Sequence, residues 1–340
     1  MRWKLLAVLV GLPGVTLVLA AAAAAGNAGL APEDPATSGA EDISRVYFLV
    51  AVVSGVVLLA VLGPLLVFIV RYRGRGRALS DEGPQVRGNT RLEIAWTLVP
   101  VVFVAVILGF VLYEAPGIEL ADRRTAGDTF QVDVQGRRFY WQYVYPNGVV
   151  AIDRLRIPTR ETVNLNLTAP DGDVIHSFWV PKLGGKFDAI PGQTQDFTFR
   201  ASEPGVYEGV CGEYCGVQHA AMQFEVEAME PGAFRSWLAR EGREQEAGTS
   251  ELGRREWEGV CAKCHRLAAG DEEQFVGPNL AAAQLSDVQG IEQIVRNGQG
   301  AMPAVAEGWS ERQLDALTRY LSKELAPQSQ QEGSSGEDGG

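Results

Sequence analysis

The sequence predicts a three-part membrane protein: a two-helix transmembrane hairpin, an all-β domain and a small all-α domain. Three observations carry that expectation. Two apolar runs, residues 46–70 and 94–113, contain no charge and are long enough to cross a bilayer. Between 129 and 226 the apolar residues recur with a period of two, broken by turn signals. From 254 onward a helical pattern surrounds a C-x-x-C-H motif.

In chain order, the first apolar stretch, 5–25, follows Arg2 and Lys4 and ends in an alanine run. That is the pattern of a secretory signal peptide covering 1–25, cut near Ala25. Its 21 residues would also suffice for an uncleaved spanning helix. No cysteine stands near it to carry a lipid. Residues 26–42, rich in Gly, Ala and Pro, read as an exposed lead-in.

The hairpin is expected over 43–115, with helices at 46–70 and 94–113 and a stop at Pro116-Gly117. As helices the two runs would measure about 37 and about 30 Å. Between Arg71 and Arg91 lie six arginines against two acids, Asp81 and Glu82. The positive-inside rule keeps that loop in the cytoplasm and puts both outer ends, with everything after 115, outside a bacterial cell membrane.

The β region is expected over 120–235. Residues 129–134, 138–145, 162–168, 196–199 and 222–226 alternate, with Pro-Asn-Gly, Pro-Asp-Gly and Pro-Gly turns between them. Many short alternating strands argue a sandwich or barrel. Residues 236–253 read as a linker, partly helical, the stretch 239–253 being charged and glycine-containing with little apolar content. The helical domain follows at 254–326 and ends in an amphipathic helix with Ser310 as N-cap and Leu314, Leu317 and Leu321 on one face. The polar tail, 327–340, is expected to be disordered.

Net charge is −12, and from Glu227 to the end 20 acids face 11 bases. Nucleic-acid binding, which needs clustered Lys and Arg, is excluded on that ground.

All three histidines and all four cysteines fall in two clusters. The first is His176 with Cys211-Gly-Glu-Tyr-Cys215-Gly-Val-Gln-His219-Ala-Ala-Met222. Two thiolates, two imidazoles and a thioether form a soft set that suits copper over magnesium or calcium. A mononuclear blue-copper site needs one cysteine, so the second is surplus; two thiolates could bridge two coppers. A Cys211–Cys215 disulfide and a Cys₂His₂ zinc site are the competing readings. The second cluster, Cys261-Ala-Lys-Cys264-His265, is the attachment signature of c-type haem. A thioredoxin-like dithiol would need a βαβ setting, which the pattern lacks.

The copper-type loop resembles that of cytochrome c oxidase subunit II, whose pattern is C-x-E-x-C-x-x-x-H-x-x-M. The resemblance extends to Asp173-Val-Ile-His176-Ser-Phe178, to the run from Val180 to Gly192, and to Glu93, Trp96, Thr97 and Pro100 in the second helix; it covers 40–235. It implies a cupredoxin-like Greek-key barrel holding a dinuclear copper centre. Cys211 and Cys215 would bridge the metals, with one imidazole each from His176 and His219. Met222 and the backbone carbonyl of Glu213 would complete the set, and the Glu213 side chain would reach a magnesium ion at the boundary with subunit I. Glu93 corresponds to a proton-channel glutamate; as a helix-start carboxylate it has an equally good structural reason.

One departure stands out. The family's aromatic patch reads G-x-Q-W-Y-W, its first tryptophan being where electrons arrive from soluble cytochrome c. Here it is Gly136-Arg-Arg-Phe139-Tyr140-Trp141. Phe139 in place of that tryptophan implies that electrons no longer arrive by the usual docking; Trp141 is retained.

Around the second cluster, Gly277-Pro-Asn-Leu280 and Gly300-Ala-Met302-Pro303 resemble class I cytochrome c over 252–326. The resemblance implies haem on Cys261 and Cys264, with His265 and Met302 as axial ligands; His/Met ligation raises the potential. Met302 could otherwise fill an apolar gap.

Together these imply the electron-receiving subunit of a haem–copper oxygen reductase, an oxidoreductase that translocates protons as a complex. Electrons would come from a soluble or membrane cytochrome or an upstream complex. They would pass from haem to copper and on to subunit I and its companion subunits. With no histidine left over, this chain holds no oxygen-reducing site. A nitric oxide reductase subunit and a stand-alone membrane-tethered carrier are the alternatives.

Overall fold

The computed structural model describes residues 33–73, 85, 87–123, 130–267, 277–280, 288–300, 302–306 and 308–325. The expected signal peptide, most of the arginine-rich loop and the C-terminal tail lie outside them. The chain divides into two compact units, 1–121 and 122–340.

The first unit is a hairpin of two long helices, α1 (Ser38–Arg71) and α2 (Thr90–Arg123). Thr37 caps α1 by accepting a hydrogen bond from the Ala40 amide, at 3.1 Å. At the start of α2, Asn89 Oδ1 accepts from the Arg91 and Leu92 amides at 3.2 and 3.3 Å. Glu93 Oε1 reaches back to the Asn89 amide at 3.0 Å. Those groups satisfy backbone donors that no helical turn can reach. Arg45 near the start of α1 lies 4.0 Å from Glu114 near the end of α2, as an antiparallel pair requires.

Leucine, valine and phenylalanine side chains along both helices are exposed all round. Both helices are long and apolar enough to span a membrane. The helix α2 does not stop at Pro116; its backbone continues to Arg123. Proline removes one amide donor but does not forbid a helix whose other bonds are intact.

The second unit opens with a cupredoxin-like barrel of two five-stranded sheets. One has the order β3 (Val150–Ile152), β2 (Tyr140–Val144), β1 (Phe130–Arg137), β5 (Val163–Thr168), β8 (Gln195–Phe199). The other runs β4 (Arg154–Pro158), β10 (Gln223–Met229), β9 (Gly205–Cys211), β6 (His176–Trp179), β7 (Lys186–Ala189). The pairs β1–β5 and β4–β10 are parallel and the rest antiparallel.

The period of two appears directly as burial. In β5, Val163, Leu165 and Leu167 are buried while the residues between them are half-exposed. Between the sheets Trp141 packs edge-on to Phe178, centroids 5.3 Å apart, and Phe178 lies 4.4 Å from Phe224.

Strand β2 breaks the alternation: Tyr140, Trp141, Gln142 and Tyr143 are all buried. The sequence run 138–145 predicts one wet face. Trp141 faces the barrel core, whereas Tyr140 and Gln142 meet the C-terminal helices.

Those helices are α3 (Pro231–Glu246), α4 (Leu252–Gly259), α5 (Val288–Asn297) and α6 (Glu311–Glu324), with a 3-10 turn at Cys261–Lys263. The segment 236–253, read from composition as a linker, is folded: α3 buries Phe234, Trp237, Glu241 and Gln245. Gln245 bonds both backbone groups of Val150, donating to its carbonyl at 2.8 Å and accepting from its amide at 3.0 Å. It thereby closes part of the edge of β3 as a neighbouring strand would.

At the start of α4, Gly253 lets α6 approach; a Cβ there would lie 2.0 Å from the Ala316 carbonyl oxygen. Helix α6 begins with a capping box between Ser310 and Gln313. Leu252, Trp257, Ile291, Val295, Trp309, Leu314, Leu317 and Leu321 share one apolar cluster with Tyr140, Val150 and Ile152 of the barrel.

Candidate metal centres

The first candidate centre lies where two neighbouring strands end. His176 begins β6 and Cys211 ends β9, with Phe178 and Cys211 directly paired. The intervening loop to β10 carries Cys215, then His219 in a 3-10 turn, then Met222. Two backbone bonds hold it: Cys211 N donates to Met222 O at 3.1 Å and Gly212 N to Ser177 O at 2.8 Å.

The side chains converge. Cys211 Sγ and Cys215 Sγ are 3.9 Å apart. Cys215 Sγ is 3.6 Å from His219 Nδ1 and 3.7 Å from Met222 Sδ. Cys211 Sγ lies 3.2 Å from the Glu213 carbonyl oxygen. Ligand atoms of His176, Cys211 and Cys215 all fall within 4.8 Å of one another. At that separation the two sulfurs are not bonded, a disulfide being about 2.05 Å, and both cysteines are free.

His176 is fully buried and neither ring nitrogen has a hydrogen-bond partner. The nearest carboxylate oxygen, on Asp173, is 3.6 Å from Nε2, beyond a good hydrogen bond. An imidazole buried beside two thiols, with Asp173 only loosely in reach, suits a cation, and soft sulfur neighbours make a copper-type one the fitting choice. Gly136 makes room for it: a Cβ there would lie 3.0 Å from both His176 Cβ and the Trp141 ring.

The ionisation of each thiol depends on the other. Interaction with Cys215, helped by His176 and nearby backbone, draws Cys211 down to about 3 against the effect of burial. Cys215 is pushed above the ordinary thiol range by its neighbour and by burial. Two adjacent thiolates repel, so full ionisation of the pair calls for a cation between them.

Glu213's carboxylate takes a different partner, Lys186 Nζ, at 3.0 Å. No group of clustered metal-type side chains among the described residues includes it. Trp141 stands behind the centre, its ring 6.2 Å from that of His176. Phe139 lies on the loop side, within 3.0 Å of where a Cβ of Gly216 would be. Glu93 belongs to the hairpin, where its visible work is capping α2.

The second candidate centre begins as α4 ends. Cys264 and His265 amides both donate to the Cys261 carbonyl, at 3.0 and 2.9 Å, coiling the motif into one tight turn. His265 Nδ1 bonds the Pro278 carbonyl at 2.8 Å, which leaves Nε2 as the nitrogen open to a metal. Gly277 permits this, since a Cβ there would meet His265 Cε1 at 2.5 Å.

Met302 is half-buried and packs on the apolar cluster that contains Cys261. Burial pushes the Cys261 thiol up to about 12 and raises Cys264 as well. Neither thiol is lowered as in a reactive redox dithiol.

Comparison with known proteins matches this layout part for part. Residues 25–112 match the family described as cytochrome c oxidase subunit II, transmembrane domain, and 149–229 match its periplasmic domain. Residues 249–321 match cytochrome c oxidase, cbb3-type, subunit III. The cytochrome c oxidase subunit 2 of Alkalihalophilus pseudofirmus is 33% identical over 321 residues, covering 87% of this chain and 91% of that protein.

The chain belongs to the cytochrome c oxidase subunit 2 family.

The subunit 2 of Bacillus subtilis is 34% identical over 249 residues, 66% of this chain and 68% of that one. A crystal structure of the periplasmic domain of subunit II from Bradyrhizobium japonicum is similar at 27% identity and a TM-score of 0.32, covering 34% of this chain and 94% of that one. As a subunit 2 with a fused cytochrome c domain, the chain is part of a haem–copper oxidoreductase complex. The two families imply a copper centre in the barrel and a haem c in the helical domain.

In this subunit 2 the two candidate centres touch. Lys263, inside the haem motif, donates to Asp153 Oδ2 at 2.6 Å and to the Phe139 carbonyl at 2.8 Å. Gln218, inside the copper-type loop, donates to the Lys263 carbonyl at 3.0 Å. Beside this contact Tyr140 OH donates to Val305 O at 2.9 Å and accepts from Trp309 Nε1 at 2.8 Å. Gln313 donates to Gln142 at 3.2 Å. Glu256 is fully buried in the same helical domain, where burial raises its carboxyl well above the usual range.

Sequence reasoning missed Lys263, Gln218, Asp153 and Tyr140. The first two lie at spacer positions inside motifs, nothing local marks Asp153, and the aromatic patch shows Tyr140 without its part in the seam.

Proposed function

We propose that this subunit receives electrons on a covalent haem c and delivers them through a dinuclear copper centre to subunit I for oxygen reduction. Cys211 and Cys215 would bridge the coppers, His176 and His219 would each supply one imidazole, and Met222 and the Glu213 carbonyl would complete the set. Cys261 and Cys264 would hold the haem, with His265 and Met302 on the iron. When bound, each group supplies a one-electron couple, and His/Met ligation sets the haem potential high.

The observation that carries the reading is the buried His176, its ligand atom within 4.8 Å of both thiols, in the same compact unit as a C-x-x-C-H turn. The residues' own tasks follow from their surroundings. The paired strands β6 and β9 hold His176 and Cys211 side by side, which would limit reorganisation as charge changes. The Pro278 carbonyl orients His265. The apolar cluster around Cys261 excludes water from the haem side.

The Glu213 carbonyl role is supported by its 3.2 Å approach to Cys211 Sγ. A magnesium ion on its carboxylate would have to displace Lys186. The basic loop after α1 supports an orientation with the soluble unit on the outer face of a bacterial membrane.

Metal and haem analysis of the intact oxidase, with electron paramagnetic resonance, tests the assignment. Two coppers with a delocalised signal and one haem c per chain are expected. One copper, or zinc, would contradict it.

A further inference from the structure

A lysine between two haem-binding cysteines has no part in attaching haem, yet Lys263 is only 13% exposed along its side chain. An ammonium so enclosed is costly unless it is paired and hydrogen-bonded. Its partners, Asp153 Oδ2 and the Phe139 carbonyl, both belong to the copper barrel. Asp153 is itself a fixed anchor: its other oxygen accepts from the Trp141 amide at 2.7 Å, and its backbone sits at φ 52°.

Gln218, between Cys215 and His219, bonds back to the Lys263 carbonyl. The haem motif and the copper loop are thus each other's hydrogen-bond partners. Phe139 lies between them, its carbonyl on Lys263 and its ring against Gly216, the residue after Cys215.

We propose that Lys263 is a positioning residue for electron delivery, holding the haem-attachment loop on the copper loop so that electrons cross by one fixed route beside Phe139. The proposal rests on the cofactor assignment given above. No bond forms or breaks in the step: one electron leaves the haem iron, one arrives on the copper pair, and the upstream donor restores the first. Phe139, in place of the family's tryptophan, then faces the chain's own haem loop instead of a soluble donor.

The test uses the intact oxidase carrying Lys263→Gln, Lys263→Arg or Asp153→Asn. The last acts from the barrel side, away from haem attachment, and keeps an acceptor for the Trp141 amide. Haem-to-copper electron transfer after rapid reduction is expected to slow on the order of tenfold in Lys263→Gln and Asp153→Asn, as misplacement of a reacting group commonly does. Lys263→Arg should restore most of the rate.

Amide exchange at 139–141 and 261–265 should rise roughly tenfold, the loss expected for a hydrogen bond to a charged group. Both midpoint potentials should stay at their wild-type values. Wild-type rates and exchange in both variants would overturn the proposal, as would slowing that follows a shifted potential. If the unmodified chain passes no electron from haem to copper, the cofactor reading fails instead, and the exchange measurement alone decides the contact.

Discussion

The copper loop and the haem motif are built in opposite ways. The copper loop hangs between strands of one sheet, and its donors already lie within hydrogen-bond-like distances of one another. The haem motif sits at the end of a short helix, with His265 and Met302 coming from loop segments and only partly buried. The comparison teaches where each site's order comes from. Strand pairing sets His176 and Cys211 side by side and the loop after β9 brings Cys215, His219 and Met222 to them, whereas Cys261, Cys264 and His265 depend on helix packing and on the barrel face behind them.

The largest expected effect breaks one side only. Cys215→Ser should abolish the delocalised copper signal and lower copper content, leaving haem absorbance and potential unchanged. Loss of haem as well would mean the two sites are not separately built.

Next, Gly253→Ala forces a Cβ toward the Ala316 carbonyl where α4 meets α6. Overpacking of this kind costs about 1–3 kcal/mol. Thermal unfolding should show the loss in the helical domain, with the copper spectrum intact below the transition.

Met302→Ala should lower the haem potential without altering copper; an unchanged potential and spectrum would remove Met302 as a ligand.

The smallest effect concerns Glu256. Its carboxyl is raised in the folded chain by burial, from an ordinary value of 4.5. The folded state therefore holds a proton that the unfolded state releases, and stability falls as pH rises above about 4.5 toward the folded value. Glu256→Gln should flatten that slope and raise the melting temperature at neutral pH. An unchanged slope would show that the carboxyl is not held neutral.

Both motifs and the hairpin were legible in the sequence because each is local. Cysteine spacing, an uncharged run of spanning length and a period of two need no knowledge of distant partners. The seam between barrel and helices was not legible. Tyr140 and Gln142 occupy the face of β2 that alternation assigns to solvent, and residues of the helical domain far along the chain, Val305, Trp309 and Gln313 of α6 among them, cover it.

The apparent linker misled for a related reason. Glu241 and Gln245 look solvated by composition, yet they are buried in α3, one paired with Arg255 at 3.1 Å and the other bonded to β3. Proline usually stops a helix, yet this one runs on past Pro116.

The most direct measurement follows both centres during rapid one-electron reduction of the intact oxidase. Haem c should be reduced first and copper should follow as haem reoxidises. Copper reduced ahead of the haem would contradict the route from haem to copper.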